Sequence, residues 1–369
     1  MSTLVALLLS ILAGVIPTIL YVLLVWRLDR YEKEPLHLLA VAFLWGALPA
    51  AVLAIMVETI FDLPLALLPQ EVGELVSSSF IAPLVEEAVK GLALLGLFLL
   101  ARSEFDGILD GIVYGSLIGF GFGLTEDILY FFRAWQEGLS SWSATVLLRT
   151  LAFGLNHAMF TALTGVGFGL ARYEKAARRR WLWIGLGLAA AITAHLLHNL
   201  FLSLGELCLL SLIADWAGVA VILALVALSW RRERLWVQTY LAEEVSWGVL
   251  SPWQVEAIAS RRRRLQRQWQ LLGNSGLSAA QLWRRLVDAA VELAFRKHQQ
   301  VVMGAEKVRG ATIPALRARI IQLRHQLGDP AAPPGPLCSA CGLPVSAEDA
   351  ACAHCGAPRP SPPPTPPLT

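Results

Sequence analysis

Residues 80–101 read FIAPLVEEAVKGLALLGLFLLA, a run uncharged except at Glu86, Glu87 and Lys90. A membrane-spanning helix needs about 20 mostly apolar residues, so this run is long enough to cross a bilayer. An ionisable group at membrane depth is costly unless paired or hydrated, so three of them inside one span mark a functional site. Outward from this stretch the pattern recurs. Glu126-Asp127, His157, and His195 with His198-Asn199 interrupt three further apolar runs. Polar clusters in four separate spans predict a site assembled inside the membrane, and carboxylates with imidazoles are the groups of proton-transfer chemistry.

The chain of 369 residues is 56% hydrophobic and 16% charged, against roughly 25% charged in an ordinary soluble chain. The imbalance is local. Up to Trp230 there are 12 Lys/Arg against 18 Asp/Glu, and from Arg231 to Pro330 there are 17 against 8. The net charge of +2 therefore hides an acidic apolar half and a basic polar segment. Seven segments qualify as spans: 3–26, 36–60, 80–101, 107–132, 146–171, 181–204 and 207–230. The first has no basic n-region or obvious cleavage site, so it reads as a retained helix and not a secretory signal. Basic residues concentrate in alternate connections (Arg27, Arg30 and Lys33; Arg102; Arg172, Lys175 and Arg178 to Arg180; Arg231, Arg232 and Arg234). The positive-inside rule then predicts a multi-pass protein of the plasma membrane, N-terminus outside and C-terminus cytoplasmic. At 1.5 Å per helical residue, all four clusters fall roughly 7–16 Å below the outer membrane surface, in one slab.

Gly107, Gly111, Gly115, Gly119 and Gly123 repeat every four residues, which gives the fourth span a face without side chains where another backbone approaches closely. Glu86 and Glu87 lie four and three residues before Lys90, so either carboxylate can pair with the ammonium, leaving the other as a candidate general base. Pro83 predicts that the regular helix starts there, placing the pair in its first turns. Glu126 is a candidate to share a proton with Glu86 or orient a water, and Asp127 faces another direction. His157 reads as a second base or water ligand. His195 and Asn199 share a helix face and suit donation to one oxyanion; His198 ranks behind them. Two Glu and two His are also ordinary zinc ligands, although no H-E-x-x-H is present. No G-x-S-x-G occurs, and Cys208, alone in an apolar stretch, reads as a packed small hydrophobe.

The order EExxK (Glu86, Glu87, Lys90), FxxxE (Phe122, Glu126), His157 and HxxxN (His195, Asn199) resembles the PrsW family of intramembrane proteases, relatives of CAAX prenyl proteases and bacteriocin-processing enzymes. Asp29 to Pro35 resembles the family's acidic, proline-ended first loop. The resemblance covers roughly 15–205 and implies a glutamate-dependent endopeptidase acting on membrane-anchored proteins, such as anti-sigma factors. It implies Glu86 as general base, Glu87 held by Lys90, Glu126 and His157 positioning water, and His195 with Asn199 stabilising the oxyanion. Asp127 stands where an Asn is expected. Two other classes compete. A non-enzymatic sensor or scaffold would use the clusters as structural hydrogen bonds; a proton-coupled transporter would need inverted repeats, which the halves lack.

The expected fold is an all-α polytopic membrane protein: a transmembrane domain over 1–230, a basic helical segment over 231–328, a linker over 329–336, a zinc ribbon over 337–357 and a disordered proline-rich tail over 358–369. Basic residues just inside a membrane meet anionic lipid headgroups. Nucleic acid is disfavoured because no reading motif accompanies the charge. Cys338-x-x-Cys341 and Cys352-x-x-Cys355, ten residues apart, have the spacing of a four-cysteine structural Zn²⁺ site. Paired disulfides are the alternative, disfavoured on the cytoplasmic side. Gly342 and Gly356 permit the tight turn after each knuckle. No catalytic position is left open there, so the ribbon's expected role is contact with a protein partner.

Overall fold

A computed structural model describes residues 3–31, 33–101, 104–304, 312–329, 336–345 and 350–358. Arg102 of the topology argument, the interior of the linker and residues 359–369 of the tail lie outside the described residues. Two compact units are present. One comprises Met1–Asp29 with Lys33–Ser229, the other Arg30–Glu32 with Trp230–Thr369. Among the described residues the secondary structure is helical apart from two isolated β-bridges.

The first unit is built from α1 (Thr3–Trp26), α2 (Leu36–Trp45), α3 (Ala51–Leu65), α4 (Gln70–Val76), α5 (Ala82–Leu100), α6 (Ile108–Glu137), α7 (Leu139–Leu147), α8 (Asn156–Ala171), α9 (Ala177–Ser203) and the first half of α10 (Cys208–Ser246). Among the described residues, six segments are long and apolar enough to cross a membrane: Thr3–Trp26, Leu36–Leu65, Ile108–Glu137, Leu139–Ala171, Ala177–Ser203 and Cys208–Ser246. The seventh expected span is α5, which carries Glu86, Glu87 and Lys90 within its 19 residues and does not join these six. The bundle is a multi-pass membrane protein. Its outward faces carry Leu, Ile and Trp side chains in the open, as lipid-facing helices do.

The glycine face of α6 lies directly on α8. A Cβ at Gly111 would stand 2.1 Å from the Gly165 carbonyl oxygen, and one at Gly119 only 2.2 Å from that of His157. These separations admit hydrogen and nothing larger, so the two backbones touch. A second seam follows another face of α6, where a Cβ at Gly121 would lie 2.0 Å from the Phe43 carbonyl oxygen of α2. Around these seams pack Leu94, Phe105, Val113, Tyr114, Leu117 and Phe168.

Three π-helical turns interrupt the helices: Gly46–Ala50, Ser77–Ile81 and Leu148–Ala152. The regular helix α5 starts at Ala82, with Pro83 in its first turn as expected, but the second π-turn joins it to the helix before it. The backbone is already helical from Gln70, and the wide turn just before the proline fits its missing N–H and its bulky ring. The Glu pair therefore sits inside a longer helical run and not at an exposed dipole end. The fifth span is likewise not continuous, because Phe153 to Leu155 leave the helix immediately before Asn156-His157. Cys208 is exposed at the start of α10 and does not pack in a core.

The second unit contains the end of α10, α11 (Pro252–Ile258), α12 (Arg261–Met303, kinked at Gly276), α13 (Ile313–Gln326) and the cysteine module. Trp283, Leu286, Leu293, Leu316 and Ile320 fill its core, joined by Tyr31, whose hydroxyl donates to the Ala259 carbonyl at 2.9 Å. Buried Glu244 accepts from Lys297 at 2.8 Å and from Arg317 at 2.9 Å, tying α10, α12 and α13 together.

Candidate functional site

Four helices bring their polar residues to one place in the first unit. Lys90 of α5, fully buried, donates from Nζ to Glu87 Oε1 at 2.6 Å, to Glu86 Oε2 at 3.3 Å and to His157 Nδ1 at 3.3 Å. Phe122 of α6 closes one side, its ring centroid 4.2 Å from the ammonium. Glu87 also accepts from His195 Nδ1 at 3.0 Å and from Thr161 Oγ1 at 3.2 Å. His157 Nε2 donates to Glu126 Oε2 at 2.6 Å, and Arg149 Nη2 donates to that same oxygen at 2.8 Å. The remaining ring nitrogens, Nδ1 of His157 and Nε2 of His195, each lie 4.0 Å from Glu86 Oε2.

The partners fix the tautomers. A carboxylate only accepts, so the hydrogens are on His157 Nε2 and His195 Nδ1, and the opposite nitrogens present lone pairs. Three acceptors thus converge, Glu86 Oε2, His157 Nδ1 and His195 Nε2; the Lys90 ammonium already donates to the first two, and His195 Nε2 keeps its lone pair open. Such a set attracts a cation or a water that donates both its hydrogens. Ligand atoms of Glu86, Glu87, His157 and His195 all fall within 4.8 Å of one another. Carboxylate and imidazole donors, with each imidazole tethered through its far nitrogen to a carboxylate, fit a divalent metal ion.

A cavity of about 410 Å³ opens onto this cluster, bordered by Glu126, Arg149, His157, His195, His198 and Asn199. Asn199 reaches it but commits an N–H to the Ser78 carbonyl at 2.8 Å. Asp127, expected to face elsewhere, accepts from Arg149 Nε beside Glu126, so one guanidinium bridges both carboxylates. Sequence reasoning did not single out Arg149. It also passed over Thr161, Asn156 and Asp215, the last a single carboxylate in an apolar span whose depth was the available signal.

In the second unit the cysteines form two matching knuckles. Cys338 and Cys352 each accept at their carbonyls from Gly342 and Gly356, both at 2.8 Å, and both glycines have positive φ, +72° and +70°. Cys338 and Cys355 sulfurs are 3.6 Å apart, as are those of Cys341 and Cys352. That is far beyond a disulfide and near the roughly 3.8 Å edge of a tetrahedron with metal–sulfur bonds of about 2.3 Å. Backbone N–H groups of Cys355 and His354 bring the Cys352 thiol down to about 7, and that of Cys341 lowers Cys338, whereas burial pushes Cys341 up to about 12. The four cysteines lie close enough to bind a metal ion.

Residues 34–230 match the family described as PrsW family intramembrane metalloprotease. The chain is 31% identical over 191 residues to Protease PrsW of Geobacillus kaustophilus, covering 51% of this chain and 76% of that protein. Against Protease PrsW of Clostridioides difficile it is 29% identical over 198 residues, covering 52% and 76%; against that of Bacillus subtilis, 28% over 194 residues, covering 51% and 78%. No solved structure matches the chain. The matched region spans the ionisable cluster in the interior of the bundle, and the chain belongs to the PrsW family of intramembrane proteases, enzymes that cleave peptide bonds.

Proposed function

We propose that the protein hydrolyses membrane-anchored proteins by a glutamate-dependent mechanism, with Glu86 as the general base. The observation that carries this is the convergence of Glu86 Oε2 with His157 Nδ1 and His195 Nε2, 4.0 Å from each. A water in this space donates one hydrogen to Glu86 and the other to His195 Nε2, the ring nitrogen that Lys90 does not occupy, and so turns its lone pair toward a scissile carbonyl. Glu86 takes the proton as oxygen bonds to carbon. It returns that proton to the amine nitrogen as the carbon–nitrogen bond breaks. Glu126 and Glu87 hold the two rings, and Lys90 balances the carboxylate charge. The second amide N–H of Asn199 faces the oxyanion. His195, with its hydrogen on Nδ1, orients water in this scheme and is not an oxyanion donor.

Glu86, Glu87, His157 and His195 are the residues that would hold a divalent ion, which would supply Lewis acidity toward the water and the carbonyl. The rest of the proposal follows from charge and composition. The N-terminus is outside the plasma membrane and the C-terminus cytoplasmic, with anionic headgroups against the basic residues near Arg231. The resemblance to the family, and not composition, implies membrane-anchored regulatory substrates such as anti-sigma factors. The four cysteines hold a structural Zn²⁺, and the module they form meets a protein partner.

The test compares membrane proteomes of cells expressing the wild type and Glu86→Gln, Glu87→Gln and His195→Ala at matched insertion levels. A cleaved single-span protein present with wild type and lost with every variant is the expected result. A fragment that persists with Glu86→Gln rules out Glu86 as the base.

A further inference from the structure

The cavity wall carries a second polar assembly that this mechanism leaves unused. Asp215 of α10 is buried, and its Oδ2 lies 2.8 Å from His198 Nδ1 on α9 and 3.0 Å from Asn156 Nδ2 at the start of α8. Ser211, one turn earlier on α10 and also buried, sets its Oγ 2.8 Å from the same ring nitrogen. A carboxylate only accepts, so His198 Nδ1 carries the ring hydrogen and Nε2 presents a lone pair. Phe153 and Phe160 pack against the ring at centroid distances of 5.3 and 5.8 Å and hold its orientation. His198 Nε2 has no hydrogen-bond partner among the described residues, yet it is not among the enclosed unpartnered atoms. The ring borders the cavity.

The carboxylates on that wall are tied to the catalytic cluster. Glu126 holds His157 and Arg149, and Asp127 holds Arg149. A membrane-spanning helix offers no peptide bond to attack until it unwinds locally. Unwinding releases backbone N–H groups, and away from water each needs a protein acceptor. His198 Nε2 is an acceptor on this wall that stands outside the catalytic cluster. We propose that His198, oriented by Asp215, is a substrate-positioning residue whose Nε2 accepts a backbone N–H from the unwound segment of a membrane-embedded peptide. The proposal rests on the protease reading of the same cavity.

The test uses full-length Glu86→Gln protein in lipid nanodiscs and a dansyl-labelled spanning peptide of Leu and Ala with a central Gly-Gly. A matching series carries one backbone N-methyl group at each central position. One position is expected to weaken binding about tenfold, the worth of a hydrogen bond of ordinary strength. In His198→Ala the same methyl group has no effect. Asp215→Asn, whose amide donates to Nδ1 and moves the ring hydrogen to Nε2, behaves likewise. His198→Gln, which can present a carbonyl oxygen near the Nε2 position, restores the discrimination and guards against mere misfolding. Equal methyl effects in all proteins, or no saturable binding of the parent peptide, would overturn the proposal. Cleavage of the same peptides by protein with Glu86 intact is scored separately. Discriminating binding without cleavage counts against the protease mechanism alone, and cleavage without discrimination counts against His198 alone.

Discussion

Removing Lys90 would leave the Glu86 and Glu87 carboxylates side by side with no neutralising charge. The Lys90 and Glu87 side chains are both fully buried and 2.6 Å apart, and breaking one side of such a pair costs about 3–5 kcal/mol. Lys90→Met is therefore expected to lower the unfolding temperature in detergent and the level in membranes. Adding Glu87→Gln recovers part of that stability, because only the Glu86 carboxylate is then left without its ammonium, while cleavage stays low. A Lys90→Met protein as stable as wild type would show that the ammonium does not compensate the pair. The ingredients of this cluster were legible in the sequence, because charge within an apolar run stands out whatever the fold. Its wiring was not. Helical spacing relates Glu87 to Lys90, but Lys90 to His157 and Glu87 to His195 are contacts across 67 and 108 residues that only helix packing decides. Arg149 bridging Glu126 and Asp127 was hidden for the same reason.

Helix contacts set where those residues stand. His157 is positioned by a backbone that touches Gly119, so Gly119→Ala must push α8 outward. A displacement on the order of 1 Å costs about a hundredfold in rate, and cleavage should fall by about that much at normal expression. Gly96→Ala, where a Cβ meets nothing within 4 Å, should leave cleavage unchanged and serves as the control. The glycine repeat of α6 announced this seam because a four-residue period maps directly onto one helix face. The π-turns and the break at Phe153 to Leu155 had no such period to announce them. In the second unit, α10 and α12 meet where Trp236 stacks on His298 with centroids 3.9 Å apart. Burial, then the charge of Arg232, lowers His298 to about 4, against about 6.5 in an unfolded chain. Between those values the unfolded chain binds a proton that the folded unit resists. Stability is thus full above pH 6.5, declines as pH falls toward 4 and then levels off. Hydrogen exchange of residues 232–240, corrected for intrinsic rates, should show this decline in wild type and a smaller one in His298→Gln.

At the scale of the molecule, the matched region ends at residue 230, and the cysteine module belongs to the unit that follows. That module is not a loose appendage of its own unit. Leu343 sits in the core with Leu316 and Ile320, Arg317 donates to the Cys341 carbonyl at 2.8 Å, and Trp247 packs on His354 with centroids 4.6 Å apart. A small knuckle pair buries too little apolar surface to hold itself together, so a bound metal ion would hold its fold and, through Leu343 and Arg317, brace α13. Full-length protein should carry one zinc per chain by elemental analysis, reduced to none in Cys338→Ser with Cys352→Ser. In that variant hydrogen exchange should rise across residues 336–345 and 350–358 and through α13, with α6 and α8 unchanged. Metal loss without faster exchange in α13 would mean that the apolar contacts of Leu343 suffice to hold the module in place.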